Sequence, residues 1–209
     1  MLVREKIASL DWNKRWNEPI SLLLCSYFGE DYIHAAKAAY GIGFTHILFA
    51  SRNGTVVCYR LESDTKNVGK RLAELFLQEK DAAHAWRDSL IQATDSLDEA
   101  LSRPPKSFLV PENLHELDAR LDSYLPVFIR VNIVPDFLPP DMAENAAAPL
   151  VEARAYAEHA YHAVEALFKK ISEDIALKEK RNAGLLHNLL NEELRAYTET
   201  GKLPQEEDL

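Results

Sequence analysis

Asn53-Gly54 separates two short runs, Ile47 to Ser51 and Thr55 to Tyr59, that are rich in β-branched and aromatic residues. An Asn-Gly pair supplies the two positive-φ positions of a type I′ turn, whose twist matches the strands on either side. The stretch from Tyr40 to Arg60, YGIGFTHILFASRNGTVVCYR, therefore predicts a β-hairpin at about residues 47–59, the only one in the chain. With those two residues in the turn, Arg52 pairs with Thr55, and Phe49 faces Cys58 on one side of the ribbon. Ala50 then faces Val57, and Leu48 faces Tyr59, on the other. A lone two-stranded ribbon is marginal in water, so it is expected to be clamped between helices, with its edges covered by loop or helix.

Helical spacing dominates the rest. A short helix is predicted from Leu2 through Ile7 and Leu10 to the Trp12/Trp16 pair, stopped by Pro19. The apolar run Ile20 to Phe28 continues in helical spacing through Ile33, Ala36 and Tyr40, so it too reads as helix. Gly41 and Gly43 release the chain into the hairpin. After it, Ser63 or Asp64 caps a helix through Val68, Leu72, Leu75 and Phe76, and a second runs from about Asp81 to Pro104-Pro105. A third follows Pro111, with Leu114, Leu117, Leu121 and Tyr124 inward, and Pro126 either kinks or ends it. Pro135, Pro139 and Pro140 mark a surface connection. The longest helix, starting near Asp141 or Pro149, carries the stripe Leu150, Ala153, Ala157, Tyr161, Val164, Phe168, Ile171 and Ile175. Asn191 caps a last short helix closed by Gly201. The fold class is thus mainly α (α+β), a multi-helix bundle with one small β-hairpin. It forms a single domain over residues 1–204, with a hairpin-containing part (1–62), a bundle (63–204) and an acidic tail (205–209).

A formal net charge of −9 over 209 residues, with no basic run to offset it, argues against nucleic acid as the main partner. The longest apolar stretch, Ile20 to Phe28, is too short to span a bilayer, and the first residues lack the apolar core of a signal peptide. A cytoplasmic protein is expected. Cys25 and Cys58 both lie in apolar runs and read as buried free thiols, too few for a disulfide framework or zinc cluster.

Catalytic spacing is absent: no phosphate-binding loop, nucleophile elbow or His-Glu-x-x-His appears. Glu158, His162 and Glu165 stand at i, i+4 and i+7, the way bundles present metal ligands, and Glu112 with His115 adds a Glu-x-x-His. Yet His162 falls on the side away from the apolar stripe, and Glu158 and Glu165 on its flank. That set reads as a solvated, internally paired face. Gly41-x-Gly43-x-Thr45-His46 resembles the Gly-rich Thr-His element of phosphohistidine domains, but Ile47-Leu48-Phe49 continues as strand where such domains begin a helix. What remains is an aromatic and basic cluster of Trp12, Arg15, Trp16, Tyr27, Arg52, Tyr59 and Arg60, residue types that build a pocket for an anionic ligand. No catalytic residue, cofactor or metal is assigned.

Four pieces together carry a wider likeness: Trp-x-x-x-Trp before Pro19 and an apolar run, the hairpin block, LVEARAYAEHAYHAVEALFKKIS, and NEELRAYTETGKLP near the end. Their order resembles the helical region that precedes the swivelling phosphohistidine domain in phosphoenolpyruvate-utilising proteins of the PEP synthase and pyruvate phosphate dikinase kind. The resemblance implies a non-catalytic accessory or connector module, with a phosphohistidine domain as partner, either in trans or as a C-terminal domain missing from this chain. The residue reading adds two alternatives, a small anionic-ligand binding protein and a helical-bundle metalloprotein.

Overall fold

Strand β2 (Ile47–Arg52) and strand β3 (Thr55–Leu61) pair antiparallel in the expected register, Arg52 with Thr55, Phe49 with Cys58, Ala50 with Val57 and Leu48 with Tyr59. The computed structural model describes residues 7–52 and 54–206, apart from the side chains of 145–147. Leu2, Asn53 and the last three residues of the acidic tail lie outside that description.

The hairpin is not a lone ribbon. Residues Trp12–Glu18 form a strand, β1, paired antiparallel with β3, so the sheet order is β1-β3-β2. This corrects the helix predicted through Trp12 and Trp16. A four-residue spacing suits period 2 as well as period 3.6, tryptophan favours pleated surfaces, and pairing covers an edge of β3 that would otherwise stay open. The register shifts between Lys14, opposite Tyr59, and Trp16, opposite Cys58, leaving Arg15 as the extra residue of a bulge. Without it Trp16 would face outward with Val57. The bulge turns Trp16 to the inner face beside Cys58.

Only that inner face is clamped. Val56 and Cys58 are fully buried there, and Ile20, Cys25 and Val56 form a small apolar cluster against Trp16 and Phe49. On the outer face Leu48 is 38% exposed and Ala50 is exposed, contrary to the expectation that helices cover both. Three strands with one buried face suffice for stability, and the helices satisfy one another elsewhere.

The described residues are mainly helical, with eight α-helices. Helix α1 (Leu22–Glu30) begins at Ser21, whose Oγ accepts from the Leu24 amide. It runs on through a π-helical segment (Asp31–Ala35) into α2 (Ala36–Tyr40), which Gly41 ends at φ 74°. Helices α3 (Glu62–Gln78), α4 (Ala82–Ser102), α5 (Pro111–Ile133) and α6 (Pro140–Glu179) follow, then short α7 (Ala183–Leu186) and α8 (Asn191–Thr200). α4 packs along both α5 and α6; the predicted stripes of α5 and α6 are buried except Tyr161, which is half-buried, and the helical spacing of Trp86, Leu90, Ala93, Leu97 and Leu101 in α4 also faces inward, with Ala93 and Leu101 half-buried.

Three local expectations fail for identifiable reasons. Asp64 lies inside α3, and its Oδ2 instead accepts from the Thr45 amide, the Thr45 hydroxyl and the His46 amide, tying the start of the hairpin to the helix. Asn191 is the first residue of α8 and not its cap; Glu193 reaches back to the Leu190 amide. Residues 127–140 are no surface connection: α5 continues through Pro126 to Ile133, a 3-10 turn (Val134–Phe137) follows, and Ile129, Val131, Ile133, Val134 and Leu138 are buried. Gly69 of α3 makes that turn fit, because a Cβ there would stand 2.3 Å from the Phe137 ring.

Candidate functional site

The inner face of the sheet does not close completely onto the bundle. Between it, the end of α1, the second half of α5 and the middle of α6 lies a cleft of about 730 Å³. A smaller one of about 270 Å³ shares Trp16, Tyr32, Arg60, Asn132 and Arg154 with it and extends toward α3 and the 3-10 turn. Volumes of a few hundred Å³ with mostly apolar walls and a few polar groups are typical of small-molecule sites.

Arg60 stands where the two meet. Its position in β3 puts it on the face of Val56 and Cys58, and it is 5% exposed. One terminal nitrogen donates to the Tyr32 hydroxyl at 2.6 Å, and the guanidinium lies 4.3 Å from the Tyr32 ring centre and 5.2 Å from that of Phe44. Among the described residues its Nε has no hydrogen-bond partner and no carboxylate is within ion-pair distance. Taking a charged side chain out of water costs several kcal/mol, whereas a cation over an aromatic ring returns about 0.5–2 kcal/mol. The protein thus holds a buried positive charge that its own groups offset only in part.

Aromatic side chains make the floor. Phe128 and Tyr161 are nearly parallel, 6.2 Å apart, and Phe28 packs on both, 6.3 Å from Phe128 and 5.8 Å from Tyr161. Tyr161 donates its hydroxyl to Glu18 Oε2 at 2.8 Å. Burial, then that bond to a carboxylate, pushes its phenol well above the ordinary range. Burial likewise takes Tyr32 up to about 12, with Arg60 pulling the other way. Both phenols are therefore neutral at any physiological pH, Tyr161 donating to Glu18 and Tyr32 accepting from Arg60. Along α6, Arg154 and Glu158 follow one another on the cleft wall, and Glu158 Oε1 is 3.8 Å from His162 Nε2.

Of the seven residues proposed from sequence, the structure brings three together: Trp16 and Arg60 line both clefts and Arg15 the smaller one. The other four go elsewhere. Trp12 donates its indole N–H to the Ile7 carbonyl, and Tyr59 sits on the outer sheet face opposite Leu48. Tyr27 is buried against Asp118, to which it donates at 2.6 Å. Arg52 lines a separate surface depression with Lys169 and His187. Tyr32, Asn132, Arg154, Phe128 and Tyr161 join from parts of the chain far from the hairpin, which no local spacing announces.

The proposed metal set comes apart. Glu158 and His162 line the larger cleft, but Glu165 is buried and accepts from the Ser21 amide at 3.0 Å and the Ser21 hydroxyl at 2.8 Å, with Lys169 at 3.2 Å. Its work is to pin the start of α1 to α6, and the solvated face expected there holds only for its two companions. Glu112 and His115 are exposed. Among the described residues no group of three or more His, Cys, Asp or Glu side chains is placed to hold a metal ion. His46 is an exposed residue leading into β2, with its Nδ1 2.9 Å from the Thr45 hydroxyl. Among the described residues no helix is long and apolar enough to cross a membrane. No protein-family model, curated protein or solved structure matches the chain.

Proposed function

We propose that the chain is a binding protein for a small anionic molecule, taken up in the cleft between the sheet and α6. One observation carries this reading: Arg60 is buried at the junction of two clefts without a counter-charge of its own. A ligand carboxylate or phosphate would supply that charge, in charge-assisted hydrogen bonds that are stronger out of water than in it. Arg154, which has no ion pair among the described residues, stands beside the same junction. Thermal-shift measurements with phosphorylated and carboxylated metabolites test the idea, since a ligand at 100 times its dissociation constant adds about 2.7 kcal/mol of stability. A shift that disappears in Arg60→Met is the expected result. If no anion raises the melting temperature of the unaltered protein, the proposal falls.

The accessory role implied by the resemblance remains a second reading, favoured by the outer face of the sheet, where Leu48 and Ala50 are exposed and Val57 and Tyr59 half-buried. On this reading a swivelling phosphohistidine domain docks on that face. Purified chain and such a domain should co-migrate on a sizing column, and Leu48→Glu should separate them. Independent migration of the unaltered pair would end it.

A further inference from the structure

The charges around the cleft are sorted by position. Glu18 and Glu158 line only the larger cleft, Arg15 lines only the smaller, and Arg60 and Arg154 stand at the junction. Asp136 is the single carboxylate at the basic end, and it makes no ion pair with any of these arginines among the described residues. The acidic end is also the aromatic end, floored by Phe28, Phe128 and Tyr161. Such a surface suits a cation twice over, because ring faces and carboxylates both attract positive charge. Among the described residues neither carboxylate is neutralised by a lysine or arginine: Glu18 accepts from the Tyr161 hydroxyl, and Glu158 has the distant contact with His162.

We propose that the occupant is a small zwitterion, with its anionic group between Arg60 and Arg154 and its cationic group over the Phe28–Phe128–Tyr161 floor beside Glu18 and Glu158. This rests on the anion-binding reading and adds to it the second charge and the spacing. Arg154 and Glu158 are four residues apart on one helix, which separates their attachment points by about 6 Å along the axis. The two charges of the ligand should therefore be separated by several bonds, as in an ω-amino acid or a phosphoryl-choline ester, and not by the two bonds of an α-amino acid.

Calorimetric titration of the full chain with two matched pairs tests this: phosphocholine against inorganic phosphate, and 5-aminopentanoate against pentanoate. At least one zwitterion should bind ten times or more tighter than its plain anion. The first pair responding alone marks a quaternary ammonium, the second alone a primary one. In a Glu18→Gln/Glu158→Gln variant that margin should vanish while the anion's own affinity stays. If both anions bind as tightly as their zwitterions, or the margin survives in the double variant, the zwitterion proposal is overturned and the anion reading stands. If none of the four binds and the wider set of anions produces no thermal shift, both readings fall together.

Discussion

Two arginines lean on two tyrosines of one continuous helical stretch, Arg195 on Tyr27 and Arg60 on Tyr32, at 5.5 and 4.3 Å from the ring centres. Their surroundings differ in kind. Arg195 Nε donates to Asp118 at 2.7 Å, Tyr27 donates to the other oxygen of the same carboxylate, and Glu30 accepts from both Arg195 and Asn191. Each of these three charges, Arg195, Asp118 and Glu30, has a partner, and the network joins α1, α5 and α8. Arg60 has ring faces, one hydroxyl, the Cys58 thiol and a cleft, and no carboxylate among the described residues. A satisfied buried network fixes one arrangement of helices, whereas a half-satisfied one is tolerated where another molecule completes it.

Removing the partnered arginine should have the largest effect. Arg195→Met leaves Asp118, 7% exposed, as a buried carboxylate without its cation. Breaking such a pair costs 3–5 kcal/mol when both groups are deeply buried; with Arg195 partly exposed, about 2–4 kcal/mol is expected, read from the urea midpoint. A loss under about 0.5 kcal/mol would show that the network does not hold α8 in place.

The same region carries a surplus of negative charge. Asp31, in the π-helical segment, is 4% exposed, and among the described residues neither oxygen is hydrogen-bonded. Burial first, and then the neighbouring Asp122 and Glu30, raises its carboxyl from 3.8 to about 7. The folded chain holds this proton more tightly than the unfolded chain. Stability from this group is therefore complete below about pH 4, declines as pH rises toward 7, and is flat above. Asp31→Asn should remove the slope and add about 2–3 kcal/mol at pH 8, less than the roughly 4 kcal/mol that such a rise represents because the buried amide is itself unsatisfied, measured by denaturation at a series of pH values. An unchanged slope would assign it to another group.

How much of this was legible beforehand depended on whether the signal was local. The hairpin register follows from a turn that fixes its own geometry, and it already put Arg60 on the face of Cys58 and Phe49. Within the aromatic and basic cluster, Trp16, Arg15 and this arginine were the sequence signs of the cleft. The apolar stripe of α6 was equally plain, because a helical period repeats over about seven turns. β1 was not, since a spacing of four fits strand and helix alike and its partner lies some forty residues on. Nor could Glu165 be separated from Glu158: both sit on the flank of the stripe, and only the arrival of Ser21 from another element makes one of them structural. Tyr32, Asn132 and Arg154 reach the cleft through tertiary packing alone.

On the cleft side, Gly69 offers an intermediate test. A methyl at that position would strike the Phe137 ring, which borders the smaller cleft. Overpacking costs about 1–3 kcal/mol, and the better helix propensity of alanine returns up to about 1. Gly69→Ala should therefore lose about 1 kcal/mol net by chemical denaturation and weaken anion binding by moving the 3-10 turn. A stabilised variant with intact binding would show that Phe137 yields freely.

The smallest effect on stability is the most informative. Arg60→Met exchanges a buried guanidinium for an unbranched, adaptable apolar chain of similar reach. It takes away one hydrogen bond to Tyr32, worth about 1 kcal/mol, together with the contacts to two rings and to the Cys58 thiol. It also removes a charge that no carboxylate offsets, whose burial costs more than that. The two changes oppose each other, so the urea midpoint should move by less than about 1 kcal/mol in either direction, while the anion-induced thermal shift is lost. Arg195→Met has no such offset, because every group it leaves behind was satisfied by the arginine. Should Arg60→Met instead lose as much stability as Arg195→Met, the two arginines would be doing the same structural work. The contrast between a closed network and an open cleft would then collapse, and with it the case for a ligand at Arg60.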